Sequence, residues 1–196
     1  LEHDPEQARE LLDEAGWTLG ADGIREKDGK KLTLVVNEAK PQPRSFDVMT
    51  LVSQQWKTEL GIDLQILRAD SGTATQAIQD ADQMQVYHSM VGRADLDVIK
   101  SQYHSVNRNV LLNRDPADDS IGDPELETLP ETVASTADGD ARIKASQDVQ
   151  EYLLDQYYVI PLFEEPQVFA LNPQVVHGFE TEAIGRPSFH NTWVTR

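Results

Sequence analysis

Five histidines, 34 carboxylates and no cysteine make up the reactive inventory of this 196-residue chain. The histidines, His3, His88, His104, His177 and His190, stand singly. None forms the His-x-x-x-His or His-Glu-x-x-His pair that sets imidazoles on one helix face to hold zinc. His88 and His104 are the two that chain order brings closest, since one ends an expected strand and the other follows the next expected helix. They read either as a metal pair or as part of a polar cluster lining a cleft. The absence of cysteine excludes disulfides, thiol catalysis and zinc–thiolate sites. There is no Gly-x-Ser-x-Gly elbow for a nucleophilic serine, and Gly61 and Gly72 stand alone where a phosphate loop needs a glycine-rich run. The carboxylates are too numerous for any acid–base pair to stand out. Nothing here requires catalysis, a cofactor or a metal.

The charge balance narrows the partners. With 17 Lys and Arg against 34 Asp and Glu, the net charge of −17 argues against binding nucleic acid, which needs clustered cations to neutralise phosphates. It argues equally against docking on an anionic membrane surface, and its plain consequence is solubility. No stretch approaches the roughly 18–20 apolar residues that span a bilayer. No export signal and no initiator Met precede the first helix, so the chain reads as mature and processed or as a piece of something longer.

The elements that must position any site follow from periodicity. Asp4 to Trp17 is one amphipathic helix with marked ends. Asp4 suits the N-cap, Pro5 the first turn, and Gln7 the capping box. Ala8, Leu11, Leu12 and Ala15 share a face, Gly16 suits the left-handed C-terminal turn, and Trp17 folds back as a plug. Asp28-Gly29 predicts a tight turn between strands near 23–27 and 31–37. A helix over 44–60, ended by Gly61, carries Phe46, Met49, Val52, Trp56 and Leu60 at helical spacing. Ile62, Leu64 and Ile66 alternate as a strand, 73–81 is a short helix, and Met84 to His88 is a buried strand. The order strand–helix–strand–helix–strand predicts parallel βαβ units, whose ligands sit beyond the carboxyl ends of the strands.

Further on, 94–103 is a helix, and 115–140, with nine acidic residues and no Lys or Arg, reads as a solvated outer face whose helix is interrupted at Pro130. A long helix spans 141–158. Val159 to Phe163 reads as a core strand, 164–166 as a turn, Gln167 to Leu171 as another strand, and the Pro- and Gly-rich residues 172–196 as an irregular tail. The fold class is α/β, a mixed, mostly parallel sheet flanked by helices, over a single lobe 1–196.

Several words in this order resemble one family. Besides Asp4 to Trp17 they are Gln54 to Leu64, with Trp56 before Gly61-Ile62; Ala94 to Ser105, similar to an Asp-Pro-Asp segment; Asp138 to Arg142 with Gln147 to Leu153, running into Tyr158 to Phe163; and Val175 to Phe179. Together they are similar to the extracellular solute-binding proteins of ABC transporters, of the oligopeptide-, dipeptide- and nickel-binding type. The resemblance implies the C-terminal lobe of a class II, periplasmic-binding-protein-like fold of two lobes. Such a protein captures a peptide or other small polar solute in the interlobe cleft and delivers it to ABC permease subunits. It implies a missing N-terminal lobe carrying the export signal and any lipid anchor, a periplasmic or extracellular location, and a tail that returns towards that lobe.

The resemblance also implies where the solute is held. Peptide-binding relatives carry an aromatic residue and then an acid before the Asp-Pro turn; at those places this chain has Ser89 and Gly92, and Leu96 replaces the Pro. An Arg that clamps a ligand carboxylate is replaced by Lys40, a point charge rather than a fork. The expected contacts are Lys40, Tyr87, His88, Ser89, Gly92, Arg93, Asp95 and Asn107. The alternatives are an acidic protein-interaction module without a small ligand, a metal-chelate binder of the nickel type, and a hydrolase lobe whose nucleophile lies elsewhere.

Overall fold

The computed structural model describes residues 3–38, 44–89, 92, 93, 95–106, 120–164 and 166–195. The chain divides into two compact units, Leu1–Met90 with Asn109–Ser120, and Val91–Arg108 with Ile121–Arg196.

The first unit opens on helix α1, Pro5–Glu14. Asp4 caps it by accepting the Gln7 N–H at 2.9 Å, which satisfies a donor the first turn leaves over. Gly16, at φ 85°, closes it as expected. The expected apolar face is only partly buried. Ala8 and Leu12 are half-buried, whereas Leu11 and Ala15 are exposed and Trp17 is half-buried rather than a sealed plug. What fastens α1 is polar. Arg25 is 4% exposed; its guanidinium reaches Asp13 and the Trp17 carbonyl, and its Nε donates to the Leu60 carbonyl at 2.8 Å. One buried cation thus ties α1 and the segment after it to the last carbonyl of α2.

Strands β1 (Thr18–Leu19), β2 (Arg25–Lys27) and β3 (Lys30–Lys31) form an antiparallel ribbon. Its tight turn places Asp28 at φ 53° and Gly29 at φ 75°, the pair of positive angles that an Asp-Gly turn supplies. Strand β4 (Thr33–Asn37) leads through helix α2 (Ser45–Leu60) to β5 (Asp63–Leu67), and β4 and β5 pair in parallel from Thr33↔Asp63 to Asn37↔Leu67. This is the expected βαβ unit. Val36, Met49 and Leu64 form its core, with Leu34, Val48, Val52, Trp56, Ile66 and Val86 packed around them. Each buried side chain of this size contributes roughly 1.5–3 kcal/mol. Helix α3 (Ser71–Ala77) follows, capped by Asp70. The expected strand at 84–88 shrinks to a single parallel bridge, Val36↔Val86, with Met84 fully buried beside it.

The second unit is built on three helices, α4 (Asp97–Tyr103), α5 (Pro124–Ser135) and α6 (Gly139–Asp155). Helix α5 corrects one part of the reading of 115–140, the interruption at Pro130; residues 115–119 lie outside the described residues, and Glu125, Glu131, Asp138 and Asp140 are exposed as expected. The helix runs unbroken through Pro130, and Leu126, Pro130 and Val133 are buried. Those residues recur at four and three, so the apolar stripe holds the helix against its neighbours despite the N–H that proline lacks. Asp123 caps α5 and also accepts the Tyr152 and Tyr158 hydroxyls at 2.7 and 2.9 Å, tying it to the end of α6.

Residues 159–163 and 167–171 are a second correction. They form no strand; Ile160, Leu162 and Phe163 are exposed rather than core, and Val168, Phe169 and Leu171 are exposed as well. The tail is more regular than expected. Strands β6 (Val176–His177) and β9 (Trp193–Val194) pair antiparallel, as do β7 (Glu180–Thr181) and β8 (Pro187–Ser188). His177 stacks on Trp193 with centroids 4.1 Å apart, and Phe179 contacts Phe169 and Phe189. No described helix is long and apolar enough to cross a membrane.

Candidate functional site

In the first unit the polar residues gather where β4 ends. Parallel strands leave their last carbonyls and side chains pointing past the sheet, and the helix that follows starts there. Asn37, the last residue of β4, is buried. Its Oδ1 accepts the His88 N–H at 2.8 Å and its Nδ2 donates to the His88 carbonyl at 3.2 Å. Ser45, the first residue of α2 and also buried, lies with Oγ 2.9 Å from His88 Nδ1. Burial lowers the pKa of His88 from its ordinary value, which favours the neutral ring. Arg68, the residue after β5, pairs with Glu38, the residue after β4, at 3.1 Å and lies 4.2 Å over the Phe46 ring.

The expected contacts Tyr87, His88 and Ser89 therefore fall together at this strand end, with Tyr87 and Ser89 exposed and His88 half-buried. Lys40 and Asn107 lie outside the described residues. Asn37, Ser45 and Arg68 were not singled out in the sequence. The available signal was position: each stands at the carboxyl end of a strand or the first turn of the helix between them.

The second unit holds the other expected contacts. Arg93 and Asp95 form a two-point pair, Nε to Oδ2 at 2.9 Å and Nη2 to Oδ1 at 2.6 Å, and Arg93 Nη1 also donates to Ser101 Oγ at 3.0 Å. The bond to Arg93 holds the Asp95 carboxyl below its usual range. Gly92 is exposed, with no atom within 4 Å of where a Cβ would stand, so space does not require glycine there. Arg93 and Asp95 line an open cavity of about 430 Å³ together with Glu182, Ala183 and Ile184 from the tail.

His104 and His88 have separate partners. His104 is buried, and its Nδ1 accepts the Val106 N–H, which leaves Nε2–H facing Glu127 and Glu131 at 3.2 and 3.3 Å. Glu127 also accepts from the Ser105 N–H and hydroxyl, and Glu131 pairs with Lys100. This network fixes the end of α4 to α5. Among the described residues no group of three or more His, Asp or Glu side chains is arranged to hold a metal ion.

Residues 2–108 match the middle region of the bacterial extracellular solute-binding proteins, family 5. No curated protein matches the chain. Among solved structures, an ABC transporter substrate-binding protein from Sinorhizobium meliloti is 26% identical over 98% of this chain and 38% of its own, with a TM-score of 0.65. The oligopeptide-binding protein AppA from Bacillus subtilis, solved with a nonapeptide, is 16% identical over 100% of this chain and 38% of its own, with a TM-score of 0.68. NikZ from Campylobacter jejuni, solved with Ni(L-His), is 19% identical over 78% of this chain and 30% of its own, with a TM-score of 0.57. The chain thus spans about a third of the length of the structures it resembles.

Proposed function

The chain belongs to the bacterial extracellular solute-binding proteins of family 5, and on that premise we propose that it is part of a two-lobed binding protein that captures a peptide or another small polar solute and delivers it to an ABC permease. It works by binding and closure, without chemistry on the solute. The protein acts at the periplasmic or extracellular face, and the other lobe, the export signal and any lipid anchor lie in sequence outside the 196 residues.

The observation that carries this reading is the continuity of the likeness. A family match over 2–108 is accompanied by structural likeness over 98% of the chain to a substrate-binding protein that is itself far longer. The exposed apolar residues at 159–171 support it as well, because a monomeric soluble protein rarely leaves so many contiguous large apolar side chains in water. The solute contacts are Tyr87, His88 and Ser89 at the end of the parallel strands, Gly92, Arg93 and Asp95 on the following loop, and Lys40 and Asn107. The tail 172–196 returns towards the other lobe. A nickel-type chelate is the second solute class, favoured by the Ni(L-His) bound to NikZ.

The test is a thermal-shift screen of the full-length protein against short peptides, oligosaccharides and nickel–histidine. A ligand bound only by the folded state raises the melting temperature. One class is expected to raise it by several degrees. A full-length sequence without an export signal or a preceding lobe, together with a flat screen, sinks the proposal.

A further inference from the structure

The C-terminal hairpin brings a carboxylate to the cavity that Arg93 and Asp95 line. Strands β7 and β8 pair Glu180↔Ser188 and Thr181↔Pro187. The turn between them is closed by the Glu182 N–H donating to the Arg186 carbonyl at 2.8 Å, and by the Gly185 N–H donating to the Glu182 carbonyl at 2.8 Å. Gly185 sits at φ 74°, a conformation glycine adopts without strain. Both backbone groups of Glu182 are therefore used in holding the turn, which fixes where its side chain starts. The carboxylate itself has no hydrogen-bond or ion-pair partner among the described residues, Arg186 across the turn included.

The charges around the cavity do not cancel. Arg93 is occupied, with two nitrogens on Asp95 and the third on Ser101. Arg93 and Asp95 neutralise each other, and Glu182 leaves one negative charge facing the same space. Ala183 and Ile184 supply an apolar stretch of wall beside it. An anion entering here meets Glu182 and finds the guanidinium already forked onto a carboxylate. A cation meets a free acceptor, and an aliphatic stem has a surface to lie on. We infer that this cavity takes the cationic end of a solute, an ammonium or guanidinium on an aliphatic stem, with Glu182 as the group that accepts the charge. This rests on the solute-binding reading above and names the class of group recognised.

The experiment is an NMR titration of the ¹⁵N-labelled chain at physiological salt with agmatine, a small dication with an aliphatic stem, and with succinate as the anionic counterpart. Agmatine is expected to shift the amides of 182–185 and the Arg93 Nε–H saturably, and succinate to leave them in place. Glu182→Gln should weaken agmatine about tenfold, the loss of one charge-assisted contact. Glu180→Gln, the same charge change on the same hairpin, should leave the affinity unchanged. Arg93→Gln frees the Asp95 carboxylate and should tighten it. The inference is overturned if agmatine leaves 182–185 unmoved, if succinate shifts them as well, or if Glu180→Gln weakens binding as much as Glu182→Gln, which would mark a diffuse acidic surface. A full-length protein that takes a neutral oligosaccharide with no effect of Glu182→Gln keeps the solute-binding reading and removes this one.

Discussion

Asn37 acts on His88 through its backbone, holding both the N–H and the carbonyl from a residue far away in sequence. Asn37→Ala leaves those groups without their partner at a half-buried strand end, at a cost of roughly 1–3 kcal/mol. Urea denaturation should show the loss as a lower midpoint with an unchanged slope. The His88 ring gives a second readout. Burial lowers its folded-state pKa, so an NMR titration of the imidazole should find its midpoint below the roughly 6.5 of a free histidine. The sign for stability follows. As pH falls below about 6.5 the unfolded chain takes up the proton first. The contribution of a neutral His88 is present above that pH and is lost as pH falls towards the folded value. His88→Gln should flatten this part of the profile, and a profile as steep as wild type would remove His88 as its source. The type of residue at 88 was legible in the sequence. Its partners were not, because Asn37 and Ser45 lie more than 40 residues away and only the βαβ crossover brings them to it.

At the scale of elements, the units that read correctly are those whose pattern needs no distant partner. The alternation in β4 and β5 and the helical spacing of α2 place Val36, Met49 and Leu64 on facing surfaces, and their core forms as expected. Helix α5 is hidden in the sequence because it sits inside 115–140, whose nine acidic residues set the composition of the whole stretch, while its own Leu126, Pro130 and Val133 carry the packing. Leu126→Ala should therefore cost roughly 2–5 kcal/mol as a buried cavity, whereas Leu11→Ala on exposed α1 should stay within about 0.5 kcal/mol. Chemical denaturation of the two variants checks the contrast, and equal costs would return α5 to the surface. Asp123 joins α5 to α6 in a way that can be titrated. Its hydrogen bond to the Tyr152 hydroxyl is the main reason the phenol is pushed up to about 12. Ultraviolet difference spectra should show one tyrosine ionising only near that pH, and Asp123→Asn should bring it back towards the ordinary value of about 10. A wild-type titration with every tyrosine near 10 would remove the bond.

For the molecule as a whole, the residues at 159–163 and 167–171 pose the sharpest question. Their composition is that of strands, with Val159, Ile160, Phe163, Val168 and Phe169 among them, yet they form none. The reason is physical. A strand is stable only when its backbone groups are paired across a ladder and one of its faces is covered, and pattern alone supplies neither partner. Among the described residues no backbone–backbone hydrogen bond reaches this stretch after the Tyr158 N–H and before the Val175 N–H. The proposed second lobe is what would supply the ladder, and this can be measured. In the 196-residue chain, amides across 159–171 should exchange with solvent almost as fast as in an unfolded peptide, since exchange protection follows hydrogen bonding and burial. In the full-length protein the same amides should be protected to a degree comparable with β4. Equal exchange in both would mean that the other lobe does not cover this stretch, and the apolar residues would then have to be explained by a different partner. Protection already present in the short chain, growing with protein concentration, would mean that copies pair through it instead, as exposed strand edges do.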